Sequence, residues 1–378
     1  MSAIAAESLR ILDGLESIDA REWDALAGGN PTLSHAFLDT LHRTGCATST
    51  SGWKPQYLTL WSEGRLAGAV PLYLKSHSYG EYVFDWAWAD AYERHGLDYY
   101  PKLLAAVPFT PATGPRLLAR DAGVRRELAR TLMEIARRSE VSSLHVLFPP
   151  EEDASELREA GMLERRGVQF HWRNDGYATF EDFLQRLSHD KRKKIRQERR
   201  RVEAADVSLR RVVGSAASKS DWDFFNRCYR RTYAEHRSTP YLTRAFFGML
   251  AERMGDQLLL VIAEQDARPI AAALDLFTAD VLYGRYWGSL EYVPGLHFET
   301  GEEGFTDRAV ANPPVEDRLQ ESAAAAARLG YAPPIRVPGL RDGAVRYGPA
   351  LINMLVRALA EHACQTVQIG RASCRERV

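Results

Sequence analysis

The chain has 378 residues, 45% hydrophobic and 26% charged, with a formal net charge of −1. That length suits two domains, each with its own core, and the near-neutral balance excludes a chain-wide field that would draw it to DNA or RNA. Four cysteines (Cys46, Cys228, Cys364, Cys374) form neither a C-x-x-C nor a metal-ligand spacing, so reduced structural thiols and no metal are expected.

The N-terminus, MSAIAAESLRILDG, has neither the basic nor the apolar region of a signal peptide. No run nears the roughly eighteen apolar residues of a membrane span. A soluble cytoplasmic protein of bacterial type is expected. In chain order, a helix is predicted at Ser34–His42, with strands at Gln56–Trp61, Arg65–Leu74 and, aromatic, in YVFDWAWAD at 82–90. A helical stretch over Tyr99–Ala106 leads to the Pro-rich 107–118, then to a helix at Gly123–Arg138 with Leu128, Leu132 and Ile135 on one face. A strand at Ser143–Pro149, a helix at Glu151–Ala160 and a strand at Leu163–His171 complete a mixed sheet flanked by helices. Thr179 caps a helix running to about Val202, with Asp182 answering in a capping box. Val207–Val213 reads as a strand, and Asp221–Glu235 and Arg244–Met254 as helices.

The pattern then repeats. Ala36-Phe37-Leu38-x-x-Leu41 before the hairpin at 57–75 has its counterpart in Ala245-Phe246-Phe247-x-x-Leu250 before the hairpin at 257–277. An aromatic third strand follows each, at 82–90 and at 282–289. Similarity at so long a period points to a duplicated domain rather than a solenoid. No Gly/Ser linker separates the halves, so they are expected to pack together. From Gly301 the text turns polar and alanine-rich. Residues 301–367 are read as an atypical tail following a frame change or chimeric join near Thr300. Residues 368–378, QIGRASCRERV, match a translated sequencing adaptor and are set apart as an artefact.

Three segments carry chemistry. Lys191–Arg201 holds eight basic residues in eleven on a predicted helix, with Ile195 and Val202 marking its buried side. Such a patch suits a diphosphate-linked substrate, a CoA pyrophosphate or an RNA acceptor stem; the plain alternative is a solvated helix face. Residues 73–102 gather Tyr79, Trp86, Trp88, Tyr92, Tyr99 and Tyr100 with Glu81, Asp85, Asp90 and Glu93. Aromatics with acids can bind sugars or support acid–base work, or form a packed sheet face. In the second half Arg285 stands between two aromatics and needs a partner or an anionic ligand, and His297 and Glu299 follow. No Walker loop, G-x-G-x-x-G, H-E-x-x-H or G-x-S-x-G occurs.

NPTLSHAFL, GWKPQYL, the run PLYLKSHSYGEYVFDWAWADAYERHGLDYYPKLLAAVPFTPATGPRLL, FHWRNDGY, KRKKIRQER and LYGRYWGS…LHFE together resemble one family over about residues 15–300. This is the Fem-like peptidoglycan biosynthesis/recognition family of the GNAT N-acyltransferase superfamily. The resemblance implies an α/β (α+β) fold of two GNAT-like domains, residues 1–172 and 173–300. It also implies transfer of an acetyl or aminoacyl group to an amine, with acetyl-CoA or aminoacyl-tRNA as donor and no metal. A peptidoglycan precursor, as a lipid-linked muropeptide, is the implied acceptor. The alternative is a non-catalytic module that recognises such precursors.

The chain lacks the R/Q-x-x-G-x-G/A loop with which acetyl-CoA-dependent members cradle pyrophosphate. It also lacks the Gly-Ala-Gln-Gly-Glu-His-Lys-type segment that the family carries after HFET, so the second domain is expected to be truncated. On this reading Lys191, Arg192, Lys194 and Arg196 hold phosphate and Arg285 an anionic substrate group. Glu299 or His297 deprotonates the amine, and Tyr79, Trp86 and Trp88 contact substrate.

Overall fold

The computed structural model describes residues 8–83, 85–165, 171–173, 175–177, 179–294, 296, 311–312 and 366–369. The expectations at His297 and Glu299, and nearly all of those for the tail at 301–378, lie outside the described residues.

The first half opens with β1 (Ser8–Leu12), α1 (Ala20–Ala27) and α2 (His35–Arg43). Asp19 caps α1 by accepting from the amides of Arg21 and Glu22, and Ser34 caps α2 by accepting from Phe37. There follow β2 (Trp53–Pro55), β3 (Tyr57–Ser62), β4 (Arg65–Val70), β5 (Leu72–Lys75), α3 (Trp86–Arg94), β6 (Lys102–Ala105) and β7 (Leu118–Ala119). α4 (Ala122–Arg138), β8 (Leu144–Val146) and α5 (Glu151–Glu159) complete it. The strands form two sheets, ordered β1-β3-β4-β7 and β2-β5-β6-β8. Pro71 divides β4 from β5 because it cannot donate to a ladder, and its carbonyl instead accepts from Ala106.

The second half contains β9 (His171–Arg173), β10 (Asp175–Gly176), α6 (Phe180–Arg186), α7 (His189–Glu203), β11 (Val207–Val213), α8 (Lys219–Glu235) and α9 (Arg244–Met254). The strands β12 (Leu258–Gln265), β13 (Arg268–Phe277), β14 (Val281–Ser289), β15 (Ala311–Asn312) and β16 (Thr366–Ile369) follow. A six-stranded sheet runs β11-β12-β13-β14-β16-β9, with β14 and β16 parallel. Helix α8 lies so close on β14 that a Cβ at Gly288 would overlap the Cys228 carbonyl.

The halves share one core, in which Trp23, Phe37 and Leu38 join Phe225, Phe246 and Leu250. The repeated helices meet face to face. Phe37 and Phe246, equivalent residues of the two copies, pack edge to face with centroids 5.8 Å apart. Arg253 Nη1 reaches Asp39 Oδ2 across this contact at 2.6 Å.

Several elements differ from the sequence reading. Residues 82–90 are not a strand: Trp86–Arg94 is helical, and the third strand of the first copy is β6, where a helix had been expected. Lys102–Ala105 is buried throughout, paired with β5 and β8, and its backbone donors and acceptors go to those ladders. The helix after Thr179 breaks at Leu187, which turns extended, before α7 begins. Thr179 does accept from the Asp182 amide, but the reciprocal capping box forms at Ser218 and Asp221.

Candidate functional site

The seam between the halves gathers the densest polar chemistry of the second sheet. β13 and β14 pair Leu274 with Tyr286 but Asp275 with Gly284, which leaves Arg285 as the extra residue of a β-bulge. A bulge frees one amide from the ladder and re-aims its side chain. Here the Asp275 carboxyl lies by the freed Arg285 amide, which favours its charged form. The Arg285 guanidinium turns towards the first half, donating to the Phe109 carbonyl, to Thr110 Oγ1 at 3.4 Å and to the Tyr286 hydroxyl at 2.9 Å. Its partners are thus neutral oxygens rather than a carboxylate. Its Nε is buried with no acceptor among the described residues.

Two shifts mark this place. Burial, with only the Arg285 amide in opposition, pushes the Asp275 carboxyl up to about 7. Burial works against the charge of Arg285, but the hydroxyls of Tyr286, Tyr82 and Tyr233 outweigh it and hold the guanidinium above its ordinary value. Tyr82, Tyr233 and Tyr229 cluster beside it, the last two with ring centroids 4.9 Å apart, and burial raises each phenol. The Phe109 ring stacks on Tyr241 at 5.0 Å. Both Phe109 (φ +56°) and Tyr82 (φ +58°) stand in the left-handed region, a conformation kept by bulky residues only where their surroundings impose it. Asp275 was not singled out in the sequence, although a lone carboxylate inside the apolar strand IAAALDLF was the available signal.

The basic helix α7 sorts its cations by face. His189, Arg192, Lys193, Arg196 and Arg200 line a half-open surface hollow of about 200 Å³, as their near i, i+3/i+4, i+7, i+11 spacing on one helix face requires. Arg192 also donates to the carbonyls of Gln185 and Leu187 and so closes the end of α6. Arg196 pairs with Glu181. Lys191 and Lys194 are absent from that lining, and Lys194 pairs with Glu198 at 3.7 Å. The structure thus joins two of the four expected cations, Arg192 and Arg196, to Lys193, Arg200 and the His189 ring.

The aromatic segment divides into a buried floor and an exposed shelf. Tyr79, Trp86 and Trp88 are 56%, 40% and 62% exposed, and the first two rings meet at 5.1 Å. Beneath them Lys75, Lys102, Glu81 and Asp85 are buried together. Lys102 Nζ donates to Ser78 Oγ at 2.8 Å, to Glu81 Oε2 at 2.9 Å and to Asp85 Oδ2. Burial raises the Glu81 carboxyl against the pull of Lys102. For Asp85 the burial penalty is outweighed by hydrogen bonds from Lys102, Ser78 and Tyr99, and its pKa falls. Burial lowers the Lys75 ammonium to about 7. Cys46 and Cys228 are free and buried. Among the described residues no group of three or more His, Cys, Asp and Glu could hold a metal, and no helix is long and apolar enough to cross a membrane.

The family model for FemAB-like proteins, described as peptidoglycan biosynthesis/recognition, matches residues 14–312. No curated protein matches the chain. Among solved structures the chain is similar to FemX, at 12% identity and a TM-score of 0.43 over 75% of this chain and 83% of that one. It is similar to a tandem GNAT protein from the clavulanic acid biosynthesis pathway, at 12% identity and 0.40 over 98% and 91%. For L-PGS from Bacillus licheniformis the values are 9% and 0.41 over 87% and 80%. The chain belongs to the FemAB-like family, as the span of the family match shows.

Proposed function

We propose that this FemAB-like chain is an N-acyltransferase built on duplicated GNAT-type domains. It moves an acetyl or aminoacyl group from acetyl-CoA or aminoacyl-tRNA to an amine, with a peptidoglycan precursor as acceptor. The observation that carries the reading is Asp275, buried at the bulge by the Arg285 backbone amide with its carboxyl at about 7. An amine must lose a proton to attack a thioester or ester carbonyl, and a base with a pKa near the working pH serves best. Arg285, with a buried Nε–H free of any acceptor among the described residues, supplies a fixed donor to the oxygen that gains charge.

Donor phosphates fit the α7 hollow, with Arg192 and Arg196 as binding groups beside Lys193 and Arg200. Lys191 and Lys194 are proposed only as flanking charge. His297 and Glu299 remain proposals for the same proton as Asp275, which makes their variants the comparison arm. The test is the rate of acyl transfer to an amine across pH 5–9 for the wild type and Asp275→Asn. Loss of at least a hundredfold in kcat, with Glu299→Gln and His297→Ala milder, supports the reading. Equal rates would remove Asp275 from it.

A second reading, precursor recognition without catalysis, draws on the exposed shelf of Tyr79, Trp86 and Trp88. Titration with acetyl-CoA, aminoacyl-tRNA and a lipid-linked muropeptide separates the two. Muropeptide binding with no donor bound favours recognition.

A further inference from the structure

Residues 106–117 line the seam with no helix or strand of their own, yet Val107, Phe109, Thr110, Ala112, Arg116 and Leu117 are all buried. A buried irregular segment is costly, because its carbonyls have no ladder to join and little solvent to meet. Here a buried cation answers them. The Arg116 guanidinium, 1% exposed, donates through Nη1 to the Gly114 carbonyl at 2.7 Å and the Pro115 carbonyl at 3.2 Å. Its Nη2 donates to the Ala112 carbonyl at 2.7 Å. Asp153 bonds the backbone, its Oδ2 accepting from the Arg116 amide at 2.6 Å and the Leu117 amide at 3.0 Å.

The other end of the segment is set as firmly. The Thr110 amide reaches the Val107 carbonyl at 3.2 Å, closing a turn with Pro108 second and Phe109 third at φ +56°. That is the pattern of a type II turn, whose third residue is ordinarily glycine or asparagine. Phenylalanine holds the position because its ring packs on Tyr241 and Trp53, with centroids 5.0 and 5.2 Å away. It also lies so close over Gly80 that a Cβ there would overlap it. The Thr110 hydroxyl donates to the Pro108 carbonyl at 3.0 Å, so towards Arg285 it can only accept. The Phe109 carbonyl and the Thr110 oxygen are thus fixed acceptors, and both take hydrogen bonds from the Arg285 guanidinium.

We propose that Arg116 is a positioning residue for Arg285: by binding the carbonyls of Ala112, Gly114 and Pro115 it makes the segment a rigid template, whose Phe109 and Thr110 oxygens aim the Arg285 guanidinium. The link is short. Only Pro111, whose ring fixes its φ, separates Thr110 from Ala112. Lysine could not replace Arg116, because a single ammonium lacks the planar fork that spans these carbonyls. The consequence for catalysis rests on the acyl-transfer reading, whereas the aim of Arg285 does not.

Arg116→Lys and the neutral Arg116→Gln are compared with the wild type, each alone and combined with Arg285→Met. The assay is steady-state transfer from acetyl-CoA or aminoacyl-tRNA to a muropeptide amine. Either change at 116 should lower kcat about tenfold or more with KM within about twofold, and should add less than about twofold to Arg285→Met. An unchanged kcat, or full additivity with Arg285→Met, overturns the proposal. A second readout needs no turnover: the Arg285 Nε–H resonance in isotope-labelled protein, assigned by its absence from Arg285→Met. Arg116→Lys should shift it and speed its exchange with solvent about tenfold; an unmoved resonance overturns the proposal. If Arg285→Met transfers at the wild-type rate, the catalytic reading of Arg285 fails, and this resonance alone decides for or against Arg116. If neither variant at 116 folds, Thr110→Val removes one template oxygen at constant volume. It should move the same resonance and be non-additive with Arg285→Met, and no change in either overturns the template.

Discussion

The two copies of the helix–hairpin unit differ least where they build the scaffold and most where they carry chemistry. Both hairpins close through a two-residue turn with positive φ at both positions, Glu63-Gly64 in one and Asp266-Ala267 in the other, as the twist of paired strands favours. Both register slips fall at the same place, between Leu60 and Trp61 and between Ala263 and Glu264. The copies part at the next connection. β13 reaches β14 through Thr278–Asp280, whereas β5 reaches β6 only after residues 76–101. The long connection holds the lysine–carboxylate cluster; the short one is followed by the Arg285 bulge. The repeated helix–hairpin pattern supplies a common frame, and each copy's departure from it supplies a polar site.

That comparison can be broken most severely at the first departure. Lys102→Met leaves Glu81 and Asp85 buried without their cation, and should cost about 3–5 kcal/mol in denaturant unfolding. A change below about 1 kcal/mol would mean that the cluster does not hold the connection. The shared frame predicts symmetry instead. Phe37→Ala and Phe246→Ala should each cost about 3–5 kcal/mol, and their double-mutant cycle should show a coupling of about 0.5–1.5 kcal/mol. Very unequal costs would contradict equivalent roles for the two copies.

The second departure has a pH signature. Because the Asp275 carboxyl is raised from 3.8 to about 7, the folded chain binds more protons than the unfolded chain between those values. Its contribution to stability is present in full below pH 3.8 and is lost as pH rises through 7. Asp275→Asn should flatten that slope and stabilise the chain at pH 8 by about 2–4 kcal/mol. An unaltered slope in melts taken from pH 4 to 8 would contradict the burial argument. The smallest effect lies in the turns. Ala267 has φ +58° where the first copy has Gly64 at φ +77°, so Ala267→Gly should add about 0.5–1 kcal/mol and Gly64→Ala remove as much.

Much of the frame was legible because its elements bury one face and leave a periodic trace. Val207–Val213 and Arg244–Met254 lie where the sequence puts them. α3 left no such trace: a helix without a buried face shows no apolar stripe, and its alternating Trp and Ala imitate a strand. Lys102-Leu-Leu-Ala failed for the opposite reason. A short strand buried on every side cannot be told from helix by periodicity. Eight cations on α7 were plain in the sequence, but which of them share a hollow depends on helix phase and on the Arg192 and Arg196 pairings. The acids near Lys102 were noted, whereas their ion pairs depend on strand register, which no local pattern encodes.

The central claim is that the bulge of the second copy, through Asp275, moves the proton in acyl transfer. The pH dependence of kcat/KM for transfer to an amine tests it most directly, in the wild type and in Asp275→Asn. The account predicts an activity rise centred near pH 7 in the wild type, and in the variant the loss of that limb with at least a hundredfold lower plateau. A variant that keeps both the limb and the rate would contradict it.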